Sequence, residues 1–474
     1  MALDLPARAP LPRSSFASWL AAMLVLAALV RPWTNRRRLE LWLLNYLVLM
    51  HLLYWLTQPV GLLLDSLGQL ATLKTNAMGS PAYFPPGYPM LVAIGYLISS
   101  TAAGSVITAI QHAMMIAAIW WSFKLMERCA GTTIAYATTL SIGAAAPTLA
   151  LPQGLLSENA ALFGMMGALY FAFNYRERGQ LRDGILSGSL LGWAALARIM
   201  PLAAGLPSLF AIMMGARSRR AGLRRFAVIL VLVGIVVAAP LVWFGINSGK
   251  FTLTNSMGRH LFNRAIADQY LMDRNARATA RLLKLTAPVD PSGMRHWDVQ
   301  KLLEKKGLNR DQIEALMRQT SIESIRHAPL EYITYSLRQA LIQYSLDPIP
   351  FMPYASTPSE YNSELEPPPL LGADANSMRW RERLEEAFDV AWIYTPWIAL
   401  ASLPLIPLLD ERATFMALAI TPALYLLATA LVEYLLSRYN AAIIPFVIMM
   451  AGGTLAALIR LVARLRAGPI GRRR

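Results

Sequence analysis

Cysteine is almost missing from this 474-residue chain: Cys129 stands alone. No intramolecular disulfide can form, so a segment facing an oxidising compartment must fold without that staple, and the ordinary role left to Cys129 is packing. Charge is scarce too. Charged residues make up 15% of the sequence against 55% hydrophobic, with a mean hydropathy of +0.41, whereas a soluble domain is about a quarter charged. That composition belongs in lipid. None of the five His residues has metal-ligand spacing to another, and there is no Gly-rich phosphate loop or nucleophile elbow, which argues against a soluble nucleotide-binding catalytic domain. Internal repeats on the scale of half the chain are lacking as well, and this weighs against the repeat-built transporters.

What is there is a patterned excess of positive charge. Lys and Arg outnumber Asp and Glu by 44 to 28, which would suggest nucleic acid if the charges were spread over a surface. They sit instead at the borders of apolar runs: Arg36 to Arg38, Arg176 to Arg182, Arg217 to Arg225, and the tail from Arg460 to Arg474. This is the positive-inside pattern, which assigns those loops to the cytoplasm and draws them to anionic headgroups. Runs that cross, or nearly cross, about 30 Å of hydrocarbon lie at 16–31, 41–63, 102–124, 131–150, 158–175, 183–214 as a tight pair, 225–246, 389–409, 413–433 and 440–461. The expected fold is an all-α polytopic membrane protein with about ten or eleven transmembrane helices. The first run has its strongest positive charge after it, the reverse of a signal peptide, and is expected to stay as a span or interfacial hairpin.

The alternation leaves three stretches on the external face: 64–101, the short turn 151–157 and the long segment 247–388. In the first, the prolines of Pro85-Pro86-Gly87-Tyr88-Pro89 forbid one continuous helix, so two short surface helices are expected near 65–78 and 88–99. The long segment carries amphipathic patterns near 259–284, 297–318 and 321–345, then a Pro-rich stretch at 348–369. It is too polar to insert and too patterned for a linker. The organisation is therefore a transmembrane module 1–246, an external mostly helical segment 247–388, and C-terminal transmembrane helices with a basic tail, 389–474.

Asp65 lies where the second apolar run leaves the membrane. An ionised carboxylate at that depth is costly, so a functional role is the default, with a helix-end acid facing water as the alternative. Glu158 follows Ser157 at the start of its run, where an acid also serves as ordinary capping chemistry complementing the helix dipole; both readings stay open. Arg198, between the apolar halves 188–197 and 199–214, is either a turn residue facing water or a charge held for an anionic ligand. Arg438, near the start of the last run, has similar standing, snorkelling being the plain alternative. His112, inside an apolar run, reads as a hydrogen-bonded core residue, and His260, His296 and His327 read as solvated.

Several short phrases follow one another along the chain. They are Asp65 with Gln69-Leu70-Ala71 and Phe84-Pro85-Pro86-Gly87-Tyr88-Pro89; Leu156-Ser157-Glu158-Asn159-Ala160; Leu190 to Pro201; Thr254-Asn255-Ser256-Met257-Gly258; Ile322 to Tyr332; and Ser437-Arg438-Tyr439-Asn440 with Pro445. In this order, and on this side of the membrane, they resemble the GT-C class of polyprenyl-phosphate-dependent glycosyltransferases, especially the group of aminoarabinose transferases and protein O-mannosyltransferases. The resemblance implies a GT-C-like fold and an inverting transfer of a sugar from a polyprenyl-phosphate donor to a lipid, glycan or protein acceptor. It implies a multi-pass protein of the inner (plasma) membrane, with its site on the periplasmic or extracellular face and no nucleic-acid partner. Asp65 takes the place of the catalytic acid or base and Glu158 that of the second external acid. Arg198 and Arg438 become candidates for the donor phosphate, and Tyr83, Pro86, Tyr88 and Tyr439 for the substrate groove. Ser66 and Gln69 depart from the family's pattern of a second acid and a downstream Tyr. Hard cations want several oxygen ligands, so no cofactor or metal ligand is assigned and a divalent cation stays open. A membrane transporter or flippase, or a non-catalytic relative that binds a lipid-linked sugar, are the alternatives.

Overall fold

A computed structural model of the protein describes residues 36–58, 60–61, 64–345, 375–432 and 441–466. The run 16–31, the Pro-rich stretch 348–369, Arg438 and Tyr439 lie outside the described residues. Regular structure among those described is helical, with two isolated β-bridges. The helices, in chain order, are α1 (Arg36–Thr57), α2 (Leu64–Ala77), α3 (Gly87–Ile98), α4 (Ala103–Ala130), α5 (Thr132–Ala144), α6 (Ala146–Ala150), α7 (Ser157–Arg178), α8 (Leu181–Ala197), α9 (Met200–Met214), α10 (Arg219–Ser248), α11 (Met257–Phe262), α12 (Arg277–Thr286), α13 (His296–Lys305), α14 (Arg310–His327), α15 (Pro329–Ser345), α16 (Ala375–Trp392), α17 (Thr395–Leu400), α18 (Arg412–Val432) and α19 (Ile444–Arg466).

Five of these, α1, α4, α10, α18 and α19, are long and apolar enough to cross a membrane, and the 60° bend between α5 and α6 makes a sixth if that pair is one broken span. The chain is an all-α multi-pass membrane protein. Helix α10 shows why: only 11% of its most apolar stretch is buried within the protein, and its outward Leu230, Val231 and Ile235 are exposed. At about 25 cal/mol per Å², such surface is stable only against lipid. Between the spans, α7, α8 and α9 pack through small residues. A Cβ on Gly164 would lie 2.6 Å from both the Ala194 Cβ and the Leu190 carbonyl oxygen, so glycine here lets α7 and α8 approach closely where no hydrophobic effect drives helices together in lipid.

The arginine clusters gather at one end of this bundle. Arg176, buried at the C-terminal end of α7, pairs with Glu411 before α18 and receives Arg225 of α10 at its carbonyl. Arg36 pairs with Glu127 at 2.8 Å, and Arg460 with Asp410 at 2.6 Å. Cys129 is fully buried beside that charge network, as a packing residue. Glu158 and Arg198 lie at the opposite helix ends, away from the clusters.

Two expected elements differ. The run 389–409 is no continuous span: α16 ends at Trp392, α17 is six residues long, and a 3₁₀ segment covers Leu403–Leu408. Pro396, Pro404 and Pro407 remove the amide donors that a continuous helix would need. The pattern at 259–284 is likewise cut, into α11, a π-helical turn Asn263–Asp268 and α12, because the chain turns at Tyr270 with a left-handed φ of 55°. The two short helices of the first loop form as expected, as α2 and α3.

Candidate active site at the non-arginine end

The site grows out of breaks between helices. Helix α8 stops at Ala197 because Pro201, in the first turn of α9, favours a fresh helix start, and Arg198 sits in the extended break with ψ 140°. Glu158 stands in the first turn of α7, where an anion suits the helix dipole. The two meet: Arg198 Nη1 lies 2.7 Å from Glu158 Oε1, with side chains 10% and 1% exposed. Burying a carboxylate carries a desolvation penalty that a cationic partner in contact offsets.

The turn in front of Glu158 is locked from several sides. Gln111 donates to the carbonyls of Pro152 and Gly154, each at 2.8 Å, and accepts the Tyr88 hydroxyl at 2.9 Å. Gln153 Nε2 donates to the Gln58 carbonyl at 2.7 Å, so its Oε1 faces His112 Nε2 at 2.9 Å as an acceptor. That fixes the neutral tautomers: His112 carries its proton on Nε2, and its Nδ1 accepts from Nδ1–H of buried His51 at 2.8 Å. His112 is thus the hydrogen-bonded core residue expected of it. A bridge then ties Gly61 to Gly154, with Gly61 N donating to Gln153 O at 2.9 Å and Leu155 N to Gly61 O at 3.1 Å. This clamp brings the start of α2, whose second residue is Asp65, to the start of α7. The Asp65 side chain lies outside the described residues.

A second clasp joins the first loop to the long segment. Asn255 N donates to Ala82 O at 2.8 Å and Ser256 Oγ to Tyr83 O at 2.7 Å, which gives the phrase Thr254 to Gly258 its role. Glu314 accepts from the free amides of Gly258 and Arg259 and pairs with the Arg259 side chain at 3.3 Å, and Arg259 covers the Tyr83 ring at 4.8 Å. Glu323, in the phrase Ile322 to Tyr332, likewise receives the first amides of α12, at 3.0 to 3.2 Å. At Gly87 an added Cβ would lie 2.6 Å from the Leu196 carbonyl carbon, so only glycine lets the Pro86–Gly87 turn rest on the backbone just before Arg198.

Between the clasps is a cavity of about 510 Å³. One wall is apolar, from Val237 and Leu241 of α10 with Phe251; Arg198 and Arg318 make it cationic, and His260 and Tyr83 also line it. Tyr83 lines the cavity. Pro86 and Tyr88 do not: both are buried, Tyr88 completely, behind the wall. Arg318 and His260 lie in stretches whose sequence signal is a polar amphipathic pattern alone, whereas Ser256 belongs to the phrase Thr254 to Gly258.

His296 also departs from expectation. It is 7% exposed, not solvated, while His327 keeps a side chain 64% exposed and His260 is half-buried. His296 N donates to Asn263 Oδ1 at 2.8 Å, which aims Asn263 Nδ2 at His296 Nδ1, also 2.8 Å away, so that Nδ1 must accept. Burial, with His260, Arg259 and Arg295 nearby, lowers its pKa from 6.5 to about 3. The unfolded chain then binds the proton first: this stability is complete above pH 6.5 and is lost as pH falls from 6.5 towards 3. At 1.36 kcal/mol per unit the loss approaches about 4–5 kcal/mol. Thermal melts across pH 4 to 7 are expected to show this acid slope, and His296→Asn, which keeps an acceptor, to flatten it; an unchanged slope in the variant would contradict the assignment.

Among the described residues, no group of three or more His, Cys, Asp or Glu side chains is placed to hold a metal. One turn beyond Asp65, Gln69 Oε1 is buried with no hydrogen-bond partner among the described residues. A single neutral oxygen falls short of the several oxygen ligands that a hard cation requires.

No family model and no curated protein matches the chain. Among solved structures it is similar to ArnT from Cupriavidus metallidurans, bound to undecaprenyl phosphate and in the apo state, at 11% identity over 88% of this chain and 78% of that one, with a TM-score of 0.37. It is also similar to the S. cerevisiae protein O-mannosyltransferase complex bound to the sugar donor, at 14% identity over 51% of this chain, with a TM-score of 0.37; the match spans 38% of that protein's chain.

Proposed function

We propose that the protein is a GT-C-type membrane glycosyltransferase that moves a sugar from a polyprenyl-phosphate donor to an acceptor hydroxyl at the external face. The observation that carries this reading is the cavity, in which an apolar wall on a lipid-exposed helix runs up to the guanidinium of Arg198, at the break between α8 and α9 beside buried Glu158, and to that of Arg318 on α14. A donor with its tail in lipid and its phosphate at the surface needs that sequence of environments, together with a base for the acceptor. Arg198 and Arg318 are the phosphate-facing cations, and Asp65 is the base. The resemblance of the ordered motifs supports the same chemistry. Purified protein in lipid is expected to consume a polyprenyl-phosphate sugar and form a glycosylated acceptor, and deletion of the gene to alter lipid-linked sugars or envelope glycans by mass analysis. Unchanged glycans together with no consumption of any lipid-linked sugar would sink the reading.

The arginine-rich end is proposed to be cytoplasmic. In a Cys129→Ser background, a cysteine at Ser292 is expected to react with an impermeant thiol reagent in intact cells, and one at Ser218 to remain unlabelled. The reverse pattern would invert the topology and move the cavity inside.

A further inference from the structure

Helix α15 has its amphipathicity turned inside out. Its outward positions are Leu330, Ile333, Leu337 and Leu341, which are 78%, 46%, 46% and 70% exposed. Its inward positions include Tyr332, Ser336 and Gln343, at 5%, 0% and 2%. In water the pattern would be the reverse. The inward face packs along α18, one of the helices long and apolar enough to span.

The two ends of α15 mark its depth. Tyr332 belongs to the cluster formed by the long segment and donates its hydroxyl to the Leu431 carbonyl at the last turn of α18. Tyr344 packs against the core of the transmembrane bundle and donates to the Pro396 carbonyl at 3.4 Å. Pro396 is in α17, whose Ile398 carbonyl accepts from Thr454 Oγ1 at 2.7 Å, near the middle of α19. From Tyr332 to Tyr344 a helix advances about 18 Å at 1.5 Å per residue, more than half of a hydrocarbon core of about 30 Å.

We infer that α15 enters the bilayer beside α18 and that its Leu330–Ile333–Leu337–Leu341 stripe is covered by lipid acyl chains. The stripe lies alongside a spanning helix, between the level of the last turn of α18 and that of α17, which is bonded to the middle of α19, and at that depth acyl chains, and not a partner protein, are the occupant. Two exposed charges flank the stripe: Glu331 stands in the first turn, at the end of the helix next to the long segment, and Arg338 has a stem long enough to carry its guanidinium towards the headgroups. Residues 329–345 therefore leave the water-exposed segment in which the sequence pattern places them. The inference concerns the surface of the fold and does not depend on the proposed transfer reaction.

Spin labels on single cysteines test it in the Cys129→Ser protein reconstituted in bilayers. Labels at Leu337 and Leu341 are expected to lose collisions with a water-soluble nickel chelate and to gain collisions with oxygen, matching a label at Val231 on exposed α10. A label at Lys301, exposed on α13 in the long segment, is expected to behave oppositely. Nickel accessibility at Leu337 and Leu341 equal to that at Lys301 would put the stripe in water and overturn the inference. Protection from both reagents would put a protein surface on it, a second copy included, and would overturn it equally.

Discussion

Replacing Arg198 by Gln is expected to cost about 3–5 kcal/mol of stability, the ordinary penalty for breaking a buried ion pair. Arg198 Nη1 stands 2.7 Å from Glu158 Oε1, and that carboxylate is 1% exposed. Removing the guanidinium takes away the charge that offsets its desolvation, which is dearer than losing a surface pair. The effect separates from the functional one through the double variant. Glu158→Gln with Arg198→Gln leaves neither charge of the pair, so its thermal midpoint in detergent is expected to recover most of the way to the parent. Donor binding is not expected to recover, because the cavity has lost the cation that its apolar wall leads to. Arg198→Lys keeps the charge but not the planar fork, and should fall between. If Arg198→Gln melts with the parent protein, the pair is not holding the break between α8 and α9. If the double variant binds polyprenyl phosphate as tightly as the parent, Arg198 is not a phosphate ligand.

The same pair shows where sequence reasoning stops. Glu158 and Arg198 were each legible as charges at the edges of apolar runs, because hydrocarbon makes any interrupting charge conspicuous. Their contact was not, since 40 residues separate them and nothing in either run specifies the partner. Spans such as α4 and α10 were readable for the same reason that they are stable, a long apolar stretch with arginine at one end. The run at 389–409 misled because composition records hydrophobicity but not the continuity that its prolines interrupt. Helix α15 misled differently: its alternation of polar and apolar positions is real, but a helical pattern does not say which face meets solvent. His296 was missed because burial in the long segment depends on Asn263, far from it in the chain, and no local spacing marks the pair.

A protein carrying Asp65→Asn is expected to fold, insert and bind donor, yet lose transfer by about a hundredfold to ten-thousandfold, the usual contribution of a positioned base. An acceptor hydroxyl is a poor nucleophile, and asparagine keeps the size and most of the hydrogen bonding of aspartate while taking no proton. The placement of the backbone favours this acid over others. The bridge between Gly61 and Gly154 fixes the chain four residues before Asp65 to the turn that opens onto Glu158. Glu158 itself is engaged by Arg198 in the resting fold, which suits it to holding the phosphate-facing guanidinium in place rather than to taking a proton. Glu158→Gln is accordingly expected to weaken donor affinity more than the chemical step. The two variants thus separate in kinetics: Asp65→Asn lowers kcat with donor Kd unchanged, and Glu158→Gln raises donor Kd. Measured with purified protein and a lipid-linked sugar, full transfer by Asp65→Asn would remove the base from the mechanism, and the reading to take up would be a lipid-linked-sugar binder or transporter built around the same cavity.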